Sequence, residues 1–260
     1  MRTSTILFLL SIATLICLLS SCSSMIECDQ VEKRHAFILM DLSDKELFKE
    51  IESDLKGNFP GFMQRTSLGN ISPCEQFSLS FAHFGGQETL DISTQSISIT
   101  RKGLSGEEER RLANPKPLVE LMREKTVEYN ALTDDTVVTS STSVANILLK
   151  AIIQADVDAE NYFLILSDGV EYNEHLSLYD SIPGSEKVST LYKEIIEPSV
   201  IGEFRQRQQQ GLQAKIIMVL KSEPKGNVSR RKIKAFWISV FKELELEYQF
   251  IDNLSNKVIL

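Results

Sequence analysis

The chain has 260 residues, 42% of them hydrophobic and 25% charged, with a formal net charge of -8. That length buries one sizeable core, and the composition is that of a globular protein rather than a low-complexity or fibrous one. An acidic balance gives no electrostatic reason to seek nucleic acid or anionic headgroups. No repeat recurs at a fixed period.

Residues 1–21 read as a signal segment outside the fold. Met1-Arg2-Thr3 carries one positive charge, an apolar run follows from Ile6 to Leu19, and Leu19-Ser20-Ser21-Cys22 ends it. The run is too short and wrongly flanked for a resident membrane helix. Its last four residues resemble a bacterial lipobox, which implies cleavage before Cys22 and acylation of that cysteine. Losing Arg2 with the signal takes the net charge from -8 to -9. A lipid, not charge, would then hold the protein at a membrane. In a Gram-negative cell Ser23 after the lipidated cysteine resembles an outer-membrane sorting signal, with the domain facing the periplasm.

Residues 22–33 form a polar tether, and the folded domain is expected over residues 34–260. Cys17 leaves with the signal and Cys22 takes the lipid, so Cys28 and Cys74 remain in an oxidising compartment. They are either two free thiols or a disulfide. The disulfide would stabilise by about 4 kcal/mol on the chain-entropy model and tie the tether to the domain.

The first strand is expected over His35–Met40 and runs into Asp41-Leu42-Ser43-Asp44-Lys45. A helical stripe of Leu47, Phe48, Ile51 and Leu55 follows, with Gly57 and Pro60 as its end. Gln76–Phe84 and Leu90–Thr100 alternate by two around Gly85-Gly86 and read as an antiparallel hairpin. The charged stretch Arg101–Pro117 reads as a solvated excursion, and a helix is expected over Leu118–Leu132. Val144, Ile147, Leu148, Ala151, Ile152 and Ala155 make the cleanest amphipathic stripe. Tyr162–Leu166 is a buried strand that ends in Ser167-Asp168-Gly169. Val188–Gln209 is helical with a break near Pro198, and Gly211 closes it. Ala214–Leu220 is a further strand, Ile233 to Leu244 a second strong helical stripe, and Tyr248–Ile251 the last strand. This alternation predicts an α/β fold, a doubly wound and mainly parallel six-stranded sheet with one antiparallel edge strand and helices on both faces.

In such a sheet, polar residues at the carboxyl ends of strands converge on one edge, where ligands bind. Three clusters qualify: Asp41 with Ser43, Ser140-Ser141-Thr142-Ser143 ahead of the Val144 stripe, and Asp168-Gly169. Two carboxylates and several hydroxyls make a hard oxygen site, suited to a magnesium-like cation rather than zinc. The same residues also serve as helix caps and turn formers.

The set resembles a von Willebrand factor A domain. That family has Asp-x-Ser-x-Ser after its first strand, a distant Thr before a helix, and an Asp, often Asp-Gly, after its fourth strand. Asp41, Ser43, Thr142 and Asp168 match these positions over about Arg34 to Asn253. The resemblance implies strand order 3-2-1-4-5-6 with strand three antiparallel. It also implies a non-enzymatic binding module in which those four residues hold Mg2+ or Mn2+ and an acidic side chain of a protein partner completes the cation's coordination. One departure matters: Lys45 stands where the family has its second serine. An ammonium donates and cannot ligate a cation. Either Lys45 swings away from a weak, water-completed site, or its charge takes the cation's place against Asp41 and Asp168.

Two further readings belong to other classes. One is an extracytoplasmic hydrolase whose metal sits on the same acidic edge, with His175 as acid or base. The other is a structural envelope lipoprotein. No Gly-x-Ser-x-Gly nucleophile turn and no Gly-rich phosphate loop stands in the sequence. His35 and His83 read as packed strand residues. Arg230-Arg231-Lys232-Lys234 and Gln206–Gln210 read as solvated helix faces.

Overall fold

In a computed structural model, the structure describes residues 32–43, 45–65, 75–84, 91–95, 124, 143–172, 176–178, 181–221 and 228–256. Cys22, Cys28, Cys74, Thr142, His175, the Arg101–Pro117 excursion and nearly all of the helix expected over Leu118–Leu132 lie outside the described residues.

The longest apolar runs become the central strands. The elements in order are β1 (Glu32–Asp41), α1 (Lys45–Arg65), β2 (Glu75–Phe84), β3 (Asp91–Gln95), α2 (Val144–Ile153) and β4 (Ala159–Ser167). They are followed by α3 (Ser185–Ile195), α4 (Pro198–Gln209), β5 (Gln213–Leu220), α5 (Arg230–Glu243) and β6 (Glu247–Ile251). β2, β1, β4, β5 and β6 lie side by side and parallel, and the short β3 pairs antiparallel outside β2. Strand order reverses between β1 and β4, which places a crevice at their carboxyl ends.

Alternation along the central strands sorts side chains onto two faces. Phe37, Leu39, Phe163, Ile165, Ile216 and Met218 face one core, packed by residues of α2, α3, α4 and α5. Ala36, Ile38, Met40, Tyr162, Leu164, Ile217 and Val219 face the other, against Leu47, Phe48, Ile51, Leu55, Phe59 and Phe62 of α1. The faces are unequal among the described residues, four helices against one. Trp237 and Phe241 are fully enclosed in the larger core. No described helix is long and apolar enough to cross a membrane.

The amino ends of the strands carry a ladder of alternating charge on the α1 face. Arg34 of β1 reaches Glu75 of β2 at 2.8 Å and Glu160 of β4 at 3.5 Å, and Lys215 of β5 meets Glu160 at 2.7 Å. Burial works against the charge on Glu160. The hydrogen bonds from Lys215 and Tyr162, with the Lys215 and Arg34 charges, outweigh it and hold the carboxyl below its usual range. These opposite charges face each other across neighbouring strands and favour the parallel register.

Three expectations are corrected. The strand expected from His35 begins at Glu32. The first helix does not stop at Gly57 or Pro60 but runs to Arg65. Phe59 and Phe62 are buried there, and their packing outweighs the loss of one helical N–H at Pro60. The Gln206–Gln210 stretch is not a purely solvated face. Arg205 donates to the Glu243 carbonyl at 2.7 Å, Gln208 to the Leu244 carbonyl at 3.0 Å, and Arg207 to the carbonyls of Ile153 and Ala155. These side chains close the carboxyl ends of α5 and α2, where free carbonyls need donors.

α4 and α5 both end in a left-handed residue with paired closing bonds. Gly211 (φ 95) and Glu245 (φ 56) take that position, and the next residue's N–H returns to the carbonyl of Arg207 or Phe241. Glycine adopts this conformation without cost. At Glu245 the same turn carries a side chain and about 1 kcal/mol of strain.

One histidine makes the fold sensitive to acid. His35 and Ser80 share a hydrogen bond at 2.7 Å, and burial drives the His35 pKa down to about 4 against a weaker opposing pull from Asp156. Between pH 6.5 and 4 the unfolded chain binds the proton that the folded chain refuses, so stability falls as pH is lowered through that window. His35→Gln is expected to flatten this part of the stability–pH curve, and an unchanged slope contradicts the assignment.

Candidate functional site

β1 and β4 are in register with Met40 beside Leu166, so one step further Asp41 lies beside Ser167. Both side chains continue the face of Phe37 and Leu39 on β1 and of Phe163 and Ile165 on β4. Asp41 and Ser167 are both fully buried. The Ser167 hydroxyl donates to Asp41 Oδ2 at 2.6 Å, and the Ser43 backbone N–H donates to Asp41 Oδ1 at 2.9 Å. The Gly169 N–H in turn donates to Ser167 Oγ at 2.9 Å. Both oxygens of the buried carboxyl group thus have a hydrogen-bond donor. The relay joins the turn after β1 to the turn after β4.

Backbone bonds extend the joint sideways. The Leu42 N–H donates to the Phe84 carbonyl at the end of β2, and the Lys221 N–H, just past the end of β5, donates to the Ser167 carbonyl. Four strand ends are thereby fixed along one edge.

Asp168 is half-buried, and its Oδ1 accepts the Val170 N–H at 2.9 Å. Gly169 sits at φ 75, and a Cβ there would lie 2.7 Å from Leu220 and 2.9 Å from Ile233. Both the backbone angle and the close approach require glycine. Its carbonyl accepts the Trp237 indole N–H at 2.8 Å, so α5 is keyed to the same turn.

Ser167 and Glu171 contribute to this edge without having been singled out in the sequence. Glu171 is fully buried, and its Oε2 accepts the Ala145 N–H at 3.1 Å in the first turn of α2. Ser143, at the N-cap, makes no side-chain capping bond. A carboxylate from the distant β4 turn thus takes the part expected of a local cap such as Ser143, and the positive end of the helix favours its charge. Period-two alternation is the available signal for Ser167, which falls on the inward face after Phe163 and Ile165. Glu171 has none, because its partner is set by a tertiary contact.

A buried ion pair lies on the α1 face. Lys221 pairs with Asp54 of α1. Asp54 also accepts the Leu254 N–H at 3.0 Å and the Asn58 amide at 2.5 Å. Breaking such a pair from one side leaves an uncompensated buried charge.

Of the expected set, Asp41 and Ser43 lie in the turn after β1, which the relay joins to the turn after β4 that carries Asp168. Thr142 and the side chain of Lys45 lie outside the described residues. Among the described residues no group of three or more His, Cys, Asp or Glu side chains could hold a metal ion. Asp41 accepts a hydrogen bond on each oxygen and has no exposure. The described residues do not by themselves fit a resident Mg2+ or Mn2+.

No protein-family profile and no curated protein matches the chain. Solved structures of similar shape include the pilus adhesin SpaC from Lactobacillus rhamnosus GG in its open conformation, at 11% identity and TM-score 0.44 over 86% of this chain. The chain spans 28% of that adhesin's length. The TFIIH p34 N-terminal domain aligns at 12% identity and TM-score 0.40, over 88% of this chain and 95% of that one. The manganese-loaded TRAP protein of Plasmodium vivax aligns at 11% identity and TM-score 0.36, over 85% of this chain and 69% of that one. Likeness at this level decides neither family nor function.

The relay predicts an asymmetry between two serines. Ser167→Ala removes a donor from a buried carboxylate and is expected to cost about 2–3 kcal/mol in urea unfolding. Ser43→Ala leaves the backbone donor in place and is expected to stay within about 0.5 kcal/mol of the parent. Equal losses would contradict the relay.

Proposed function

We propose that the chain is a lipid-anchored, extracytoplasmic, von Willebrand factor A-like module that binds a protein partner at the carboxyl edge of its sheet. It is not an enzyme on this reading. The observation that carries the proposal is the buried Asp41–Ser167–Gly169 relay, which fixes the turns bearing Ser43 and Asp168 at the point where strand order reverses. Rigid polar groups at that crevice suit a ligand-binding edge.

The metal-ion-dependent adhesion site is degenerate. Lys45 stands where an oxygen ligand is needed. Recognition at Asp168 and Ser43 then proceeds through hydrogen bonds and partner cations rather than through a shared metal. Magnesium, manganese or a chelator is accordingly expected to leave the melting temperature unchanged.

The Leu19-Ser20-Ser21-Cys22 signature supports the anchor. The anchored chain faces the periplasm from the outer membrane in a Gram-negative cell. Cys22→Ala is expected to abolish metabolic labelling by a fatty acid and to release the chain from the membrane fraction. Affinity purification from intact envelopes tests the binding edge. The parent chain retains a defined partner, and Asp168→Ala, which keeps the Asp41 relay, loses it. Retention by Asp168→Ala at the parental level would sink the assignment of this edge.

A further inference from the structure

The relay ties the carboxyl edge together on one face of the sheet. Lys221 and Asp54 tie it on the other. Lys221 follows Leu220, the register partner of Ser167, and alternation puts its side chain with Ile217 and Val219 on the α1 side. There it is buried against Asp54, which is buried as well. Its backbone N–H meanwhile donates to the Ser167 carbonyl at 2.8 Å. One residue thus grips the turn after β4 with its main chain and α1 with its side chain.

Asp54 holds three donors. Its Oδ2 takes the Lys221 ammonium and the Leu254 N–H, and its Oδ1 takes the Asn58 amide. Leu254 is itself fully buried. The end of β5 and the turn after β6 are therefore drawn onto one carboxylate of α1. Stability alone gives little reason for such a pair, because apolar side chains of similar size often serve as well or better. What they would lose is direction.

The two ties close a ring around the crevice. It runs from Asp41 to the Ser167 hydroxyl, from the Ser167 carbonyl to Lys221, and through the ion pair to Asp54. α1 then leads back to the turn whose Ser43 N–H donates to Asp41. Asp168 and Gly169 continue the chain directly from Ser167, and the Gly169 carbonyl accepts the Trp237 indole N–H at 2.8 Å.

We propose that Asp54 is a positioning residue for the turn that carries Asp168, acting through Lys221 from the face of the sheet opposite the relay. The inference rests on the reading of that edge as the binding edge, and it adds a control on its geometry. Without the tie, the Ser167 carbonyl and the turn behind it lose one of their two supports, while the apolar faces of the sheet stay packed.

Trp237 is the only tryptophan in the chain, and its indole N–H reports on the Gly169 carbonyl from the far side of the sheet. The test follows hydrogen exchange of that indole and of the Gly169 and Val170 amides by NMR, on the labelled full chain in neutral detergent. Lys221→Met and Asp54→Asn are each expected to speed exchange at these three sites by about tenfold and to leave the Leu148 and Ile165 amides unchanged. Phe62→Leu, which loosens packing on the same helix, leaves the three sites at the parental rate. Asp54→Leu combined with Lys221→Met removes both charges, so no lone buried charge remains. This double variant is expected to fold by circular dichroism and to keep the fast exchange. Parental exchange in the single variants, an equal rise at all sites or in Phe62→Leu, or recovery in the double variant overturns the proposal. No partner takes part in this measurement, so its failure is read separately from failure of the Asp168 edge.

Discussion

The hydrogen bond from Ser167 to Asp41 is the constraint on which the carboxyl edge depends. It joins the ends of β1 and β4 at 2.6 Å inside the protein, at the one place where the strand order reverses. A carboxylate buried without donors would neutralise or drag water inward. With Ser167 on one oxygen and the Ser43 backbone on the other, Asp41 instead becomes a fixed anchor for both turns. The Gly169 N–H completes the relay, and Trp237 and Glu171 carry its geometry outward to α5 and α2.

The two ends of the sheet use charge differently. At the amino end, acid and base alternate across β2, β1, β4 and β5 and neutralise one another. At the carboxyl end, the acids are held by hydroxyl and backbone donors. The first arrangement stabilises register. The second fixes the turns at the strand ends.

Much of the frame was legible in the residues. Apolar runs located the parallel strands, and the stripes at Val144 and Ile233 located α2 and α5, because burial imposes a period on each element. Ends were less legible. Pro60 suggested a stop that the packing of Phe59 and Phe62 overrode. The glutamine-rich stretch resembled a solvated face because sequence does not reveal which distant carbonyls its side chains will reach. Asp41, Ser43 and Asp168 were visible as strand-end residues, whereas Glu171 depends on the approach of the β4 turn to α2, a contact between residues 26 positions apart.

The central claim is that a partner meets the edge bearing Ser43 and Asp168. A photo-cross-linking amino acid at position 43, expressed in living cells, tests it most directly against the same probe at position 209, which lies at the opposite end of the sheet on the exposed end of α4. The account predicts a discrete protein adduct from position 43 and none from position 209. An adduct from position 209 alone would contradict it.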